Sequence, residues 1–248
     1  MNNKNNALVF EGMISVRAVI ESKSREIAEL YYDSERAKKH AKELAWLRHR
    51  GEESGFPVLL CPREKIDEIA GGNSHGGVCA VCGERNIETV KQNDVIPCGF
   101  YIMLCGIEDP FNFGFAVRSA YAAGADGVIL PERSWMDSAG TVCRSSAGTS
   151  ERIAMFNYAE DTLDIFRSAG YAIVAAEIDD SVSMWDADLE KPLLLIIGGE
   201  RRGISRGILD KCDRNVRIDY SRAFGGSLSA ASAAAILCFE IARQNREK

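Results

Sequence analysis

The sequence predicts an α/β protein in which a small α/β unit precedes a larger one built on a parallel sheet with helices on both faces. Three observations predict it. After Gly99, short apolar runs alternate with segments of helical period. Those runs are nearly continuous in Val, Ile and Leu, as expected of strands buried on both faces. Arg85 to Pro97 (RNIETVKQNDVIP) lacks a strong apolar period and predicts a linker. The division is placed at residues 1–90 for the first unit, 91–97 for the linker and 98–248 for the second unit. At 248 residues the chain is long for one domain and ordinary for two.

In the first unit, Gly12 to Glu21 has helical spacing and Glu26 to Tyr32 has a β pattern. Ser34 to Arg50 predicts one long amphipathic helix, with Leu44 and Leu47 on its apolar side and Ser34 as N-cap. Its charged residues, among them Arg36 and Glu43, read as a solvated face, and so do His40 and His49. Phe56 to Cys61 (FPVLLC) predicts a buried strand, and Pro62 opens a short helix. Gly71 to Gly77 is a glycine-rich turn before a strand at Val78 to Val81.

In the second unit the predicted strands are Tyr101 to Cys105, Gly127 to Leu130, Tyr171 to Ala176, Leu193 to Ile197 and Asn215 to Ile218. The predicted helices are Asn112 to Ala123, Asp161 to Ala169, Ser205 to Lys211 and Ser227 to Gln244. Ligands of such sheets bind beyond the carboxyl ends of the strands. That rule singles out the loops Gly106 to Gly114, Gly198 to Ser205 and Asp219 to Ser227.

Composition narrows the function classes. A hydrophobic fraction of 46% with 27% charged residues excludes a disordered chain. Thirty basic residues against 36 acidic ones give a net charge of −6, which excludes a uniformly basic nucleic-acid coat but not a local basic site. The eight cysteines are scattered through apolar runs, and Met1 to Asn6 is polar. No secretory signal is expected, and reduced thiols in the cytoplasm are. The longest apolar runs are too short to span a bilayer, so no membrane association is expected. Cys79-Ala-Val-Cys82 has CxxC spacing without a second pair, and strand alternation would point the thiols to opposite faces, so no metal site is expected.

The first singled-out loop reads Asp109-Pro110-Phe111-Asn112-Phe113-Gly114-Phe115-Ala116-Val117-Arg118. Asn112 is a favourable N-cap, and Arg118 lies one turn beyond Gly114 on the same helix face. A guanidinium near exposed helix-start amides suits a phosphate; the same residues also describe a capped helix with a surface arginine. The second loop, Gly198-Gly199-Glu200-Arg201-Arg202-Gly203, sets three glycines around one acid. It lacks the endings of a P-loop or a dinucleotide fingerprint. It reads as a backbone wall for a flat ligand or as a turn with solvated arginines. The third, Ile218 to Ser229 (IDYSRAFGGSLS), opens a helix rich in Ala and Ser, which suits close backbone packing and equally reflects helix propensity. His75 is a candidate RNA contact or an ordinary loop histidine.

In this order and at these spacings, the three segments resemble the SPOUT-class RNA methyltransferases of the SpoU/TrmH family. DPFNFGFAVRSA resembles the first motif, an Asn-x-Gly with a downstream Arg. LLLIIGGERRGIS resembles the second, Gly-x-Glu-x-x-Gly, and GGSLSAASAAAILCFE the third, with Ser-Leu opening the last helix and Glu240 closing the pattern. Cys143 to Glu151 (CRSSAGTSE) is similar to the Ser-x-Gly stretch between the first two. The first unit is similar, more loosely, to the ribosomal-protein-like RNA-binding domain that often precedes this catalytic domain.

The resemblance implies a SPOUT domain whose C-terminal chain threads a deep trefoil knot, an exception to un-knotted topology. It implies S-adenosylmethionine as cofactor, held by main-chain groups at Gly198, Ile218 and Leu228 with Gly199 and Ser227 adjacent. It further implies a homodimer through the C-terminal domain and methyl transfer to a ribose 2′-hydroxyl of RNA, rRNA ahead of tRNA. The implied catalytic residues are Arg118, Asn112 and Glu200. An arginine stays protonated in proteins, so Arg118 is expected to bind phosphate or stabilise the developing oxyanion. Asn112 is expected to fix the loop and the ribose, and Glu200 to orient Arg118 or hold the knot loop. Arg144, Ser146, Arg201, Arg202 and His75 are the expected RNA contacts. Two positions depart from the family pattern: Ser229 stands for the usual Asn, and Asp219 for the usual Pro. They motivate a second function class, a non-catalytic RNA-binding or ribosome-assembly protein on the same scaffold.

Overall fold

The structure is a computed structural model that describes residues 7–131, 138–223 and 225–246. The chain begins with β1 (Leu8–Glu11), α1 (Gly12–Ser22), β2 (Ile27–Asp33), α2 (Ser34–Lys39), α3 (Ala41–Ser54), β3 (Val58–Cys61), α4 (Arg63–Ala70) and β4 (Val78–Cys82). It continues through β5 (Phe100–Cys105), α5 (Pro110–Ala122), β6 (Gly127–Leu130), α6 (Ala139–Ser145), α7 (Thr149–Arg152) and β7 (Ala154–Asn157). It ends with α8 (Thr162–Ser168), β8 (Ala172–Ala176), β9 (Ser181–Ser183), β10 (Leu193–Gly198), α9 (Arg206–Leu209), β11 (Arg214–Arg217) and α10 (Ala230–Gln244). Two compact units form, one from residues 7–86 and 138–152, the other from 87–131, 153–223 and 225–246.

The first unit holds a four-stranded sheet of order β1-β4-β2-β3. Phe10, Leu30 and Tyr32 from the strands pack with Val16, Val19 and Leu47 from the helices, and Cys143 of α6 joins them. Burying a Val, Leu or Phe side chain fully contributes about 1.5–3 kcal/mol. The predicted long helix is two helices. Asp33, not Ser34, caps the first, its carboxylate accepting from the Glu35 N–H at 2.8 Å. The chain then turns at His40 (φ −125°, ψ 49°). The turn brings Arg36 to 2.8 Å from Glu43, which also accepts from the Tyr32 hydroxyl at 2.6 Å. These two charges are therefore pinned and not merely solvated. β3 lies at the sheet edge, paired with β2 alone, and exposes Leu59 and Leu60 by 38% and 43%. Its apolar run is a poor guide to burial because apolarity does not say whether a strand is central.

Residues 138–152 lie late in the sequence yet pack in the first unit. Gly140 permits this, because a Cβ there would collide with the carbonyl oxygen of Val9. α6, α7, β1, β7 and β9 escape prediction because each is too short to show a period.

The second unit is a seven-stranded parallel sheet of order β7-β6-β5-β10-β8-β11-β9. Residues 87–97 are built into it and do not form a free tether. Val90 and Val95 are buried, Thr89 pairs with Asn157, and the Tyr101 hydroxyl donates to the Asp94 carbonyl at 2.8 Å. The groups that hold this segment come from the strands, which is why its own weak period suggests a linker. All eight cysteines are free. Burial pushes the Cys79 and Cys82 thiols up to about 12, whereas Cys98 is exposed.

Candidate active site

The register of the sheet sets Gly198, the last residue of β10, beside Cys105, the last of β5. The loops that follow must emerge side by side. The Gly199 N–H donates to the Cys105 carbonyl at 2.6 Å, and a Cβ at Gly199 would run into the carbonyl oxygen of Gly106. A Cβ at Gly198 would come within 2.8 Å of the Gly203 carbonyl carbon. Gly203, at φ +58°, closes the turn by donating to the Gly199 carbonyl at 2.9 Å. Backbone crowding thus requires glycine at 198 and 199.

Asp109, not Asn112, caps α5. Its Oδ2 accepts from the Asn112 N–H at 2.9 Å, and Pro110 occupies the first turn. An acid followed by proline is the better helix start, and it leaves the Asn112 side chain outside the capping role. At the third loop, Ser229 caps α10 by accepting from the Ser232 N–H at 3.2 Å. Asp219 is held by the Ser183 hydroxyl and by the Arg217 guanidinium at 2.8 Å, and these keep its carboxyl below the usual range. The Leu228 N–H donates to the Tyr220 hydroxyl at 3.2 Å, which ties the two ends of the loop.

These loops enclose two cavities. The larger, about 510 Å³, is walled by apolar side chains such as Ile178, Ile197, Ile218 and Leu237, with Glu177, Glu200, Arg217 and Asp219 as its charged residues. All five expected cofactor residues, Gly198, Gly199, Ile218, Ser227 and Leu228, line it. The smaller, about 410 Å³, is lined by Gly106, Glu108, Asp109, Asn112 and Arg201. Glu200 and Ala230 belong to both walls. The volume and the partly apolar wall of the larger cavity fit a small ligand, for which about 300–1,000 Å³ is usual.

Comparison with known proteins matches this geometry to a family. The profile of the SpoU rRNA Methylase family covers residues 99–239. The chain belongs to that family. A second profile, for RNA 2′-O ribose methyltransferase substrate binding, covers residues 9–87. A protein of Staphylococcus haemolyticus named for the TrmH family of tRNA/rRNA methyltransferases is 30% identical over 199 residues, 77% of this chain and 78% of its own. A Bacillus subtilis protein named for the same family is 28% identical over 242 residues, 94% of this chain and 95% of its own. The AdoMet-bound rRNA methyltransferase of Sinorhizobium meliloti superposes with a TM-score of 0.80 at 25% identity, covering 99% of this chain and 90% of that one. AviRb of Streptomyces viridochromogenes shares the fold, with a TM-score of 0.78 at 23% identity over 98% of this chain and 94% of its own.

Within this SpoU-family chain the expected site residues do not all converge. Asn112 and Glu200 line cavities. Arg118 is exposed on α5 and belongs to neither wall, and Glu200 makes no described bond to it. Arg201 and Arg202 are exposed, 3.4 Å and 3.9 Å from the Glu108 carboxylate. In the other unit Arg144 donates to Glu11 at 3.0 Å and to the Ser74 hydroxyl at 2.6 Å. His75 and Ser146 need correction as RNA contacts, since both are 0% exposed. His75 sits 2.6 Å from Asp67 through Nε2 and accepts the Gly77 N–H at Nδ1. Ser146 donates to the Cys143 carbonyl and accepts the Ser150 N–H. Each fastens a turn and offers no surface to RNA.

Sequence reasoning misses Glu177, and it names the 106–114 loop without singling out Glu108. Glu177 directly follows β8, a strand the sequence predicts, so the rule that finds the other loops points equally to residues 177–180. Among the described residues, no group of His, Cys, Asp and Glu side chains is arranged to hold a metal ion. No described helix is long and apolar enough to cross a membrane.

Proposed function

We propose that the protein transfers a methyl group from S-adenosylmethionine to a ribose 2′-hydroxyl of structured RNA, with rRNA ahead of tRNA as substrate. The observation that carries this reading is the pair of cavities that share Glu200 and Ala230 at the carboxyl edge of the sheet. A cofactor in the larger and a nucleotide in the smaller would meet at that common wall. S-adenosylmethionine, when bound, supplies a sulfonium methyl for in-line displacement.

The chain's own residues then have separable roles. Main-chain groups at Gly198, Ile218 and Leu228 would hold the cofactor, with Gly199 and Ser227 adjacent, and the Leu228 amide would exchange its Tyr220 partner to do so. Asn112 would position the ribose, and the Glu200 carboxylate would accept a hydrogen bond from the attacking hydroxyl. Arg201 and Arg202 would meet phosphates, and the first unit would capture RNA.

A second copy of the chain completes the site in this reading. Phe111 and Phe115 on α5 and Ile236 and Phe239 on α10 are between 36% and 54% exposed, and the two helices pack on each other. Such a face suits a homodimer contact. Arg118 shares the α5 face of Phe111 and Phe115, so dimerisation would carry it toward the partner's cavities, where it would bind phosphate or steady the oxyanion. The trefoil knot is part of the same reading; the 218–228 loop and the 198–204 loop sharing one cavity supports it. Free thiols and an RNA substrate support the cytoplasm as its location.

Mapping 2′-O-methyl sites in rRNA and tRNA from cells with and without the gene tests the proposal. Loss of one rRNA site is expected; loss of none overturns it. Calorimetry separates the non-catalytic reading, which predicts no S-adenosylmethionine binding at millimolar ligand.

A further inference from the structure

The larger cavity carries more acid than base. Of its charged wall residues, Arg217 and Asp219 neutralise each other at 2.8 Å. Glu177 and Glu200 remain, and among the described residues neither has a cationic partner at ion-pair distance. Glu200 belongs to the glycine loop, but Glu177 lies outside every motif. It follows β8, the strand between β10 and β11, whose ends carry Gly198 and Ile218. Its N–H donates to the Val216 carbonyl at 3.1 Å, and one carboxylate oxygen accepts from the Ile178 N–H at 2.8 Å. The main chain is held and one carboxylate oxygen is engaged by the next amide, while the other has no described hydrogen-bond partner. Asp179 and Asp180 follow on the same loop and deepen the negative potential.

Charge is what changes most in the cofactor during turnover. S-adenosylmethionine carries a sulfonium, an ammonium and a carboxylate, and so is a net cation. When the methyl carbon bonds to the hydroxyl oxygen, sulfur keeps the bonding pair and the hydroxyl proton passes to solvent. The product, S-adenosylhomocysteine, differs by one methyl and has no net charge. A cavity that bound both by shape alone would retain its product.

On the cofactor reading above, we propose that Glu177 makes the cavity charge-selective, so that it holds S-adenosylmethionine more tightly than S-adenosylhomocysteine and releases the product when the sulfonium is lost. A carboxylate in a partly apolar cavity acts on the sulfonium without needing to touch it, and added salt weakens that action.

Titration calorimetry on the full chain tests this with three probes: S-adenosylmethionine, S-adenosylhomocysteine and sinefungin, in which an ammonium-bearing carbon replaces the sulfonium. Wild type should bind both cations about fivefold more tightly than S-adenosylhomocysteine at low salt, and the ratio should shrink with added sodium chloride. Glu177→Gln should weaken both cations about fivefold and leave S-adenosylhomocysteine within about twofold. Equal affinities in wild type, a ratio indifferent to salt, or an equal loss of all three ligands in the variant overturns the inference while leaving the cofactor reading intact. If none of the three binds wild type, the cofactor reading falls and this inference with it. Should Glu177→Gln fail to fold, Glu177→Ser with the same three ligands replaces it: loss of the cation preference supports the inference, and a wild-type ratio overturns it.

Discussion

Arg25 and Glu151 form an ion pair at 3.0 Å whose side chains are only 5% and 2% exposed. The pair joins the start of β2 to the end of α7, across more than half of the sequence. Its remaining valences are filled: the Ser24 hydroxyl donates to Glu151 at 2.6 Å, and Arg25 donates to the Gly83 carbonyl at 3.2 Å. Removing one partner strands a buried charge, which costs about 3–5 kcal/mol. Glu151→Ala should therefore lower the urea midpoint sharply. Arg152→Ala, which breaks an exposed pair with Glu21 at the same 3.0 Å, should change stability by at most about 1 kcal/mol.

Gly199→Ala should abolish cofactor binding and lower the melting temperature, because the new Cβ meets the fixed carbonyl of Gly106. At Gly207 in α9 a Cβ would meet no atom within 4 Å, so Gly207→Ala should be neutral or stabilise by about 0.5–1 kcal/mol. Thermal melts with calorimetry separate the two.

Ser229→Ala should cost about 1 kcal/mol through the lost cap on α10, and Ser229→Asn should retain most of that stability. A large loss with Asn would show that the serine does more than cap.

Glu240 is 4% exposed in its side chain and accepts from Arg243 at 2.7 Å and from Gln244 at 2.8 Å. The Arg243 hydrogen bond, then that of Gln244, holds its carboxyl below the ordinary 4.5. A folded value below the unfolded one means that the stabilisation is complete above the unfolded value and is lost as pH falls through the folded one. Glu240→Gln should flatten the acid limb of the stability curve below about pH 4.5. An unchanged acid limb would remove Glu240 as its source.

Arg118→Ala should abolish methyl transfer and leave S-adenosylmethionine affinity within about twofold, because Arg118 lies outside the wall of the larger cavity. Radiolabelled methyl transfer and calorimetry read the two quantities, and normal turnover would sink the assigned role.

Much of the second unit is legible because its signals are local. β6 occupies the predicted residues, and β5, β8, β10 and β11 fall within one residue of theirs, since a short apolar run bounded by glycine or polar residues carries its own evidence. The glycines at 198 and 199 likewise announce a crowded backbone. Local signals fail where two neighbouring residues are both able to cap a helix. Asp109 takes the cap from Asn112, and Asp33 takes it from Ser34.

By itself, then, the sequence determined the α/β class, the strands of the parallel sheet, the resemblance to the SpoU family and the glycine loop at its second motif. Only the tertiary structure decided that residues 138–152 pack with the first unit, that His75 and Ser146 are buried, and that Glu177 stands in the cavity wall. The physical reason is separation along the chain. Helical and strand periods and backbone crowding are encoded within a few residues, whereas the partner of a buried charge, such as Glu151 for Arg25, is set by packing between segments that share no local pattern.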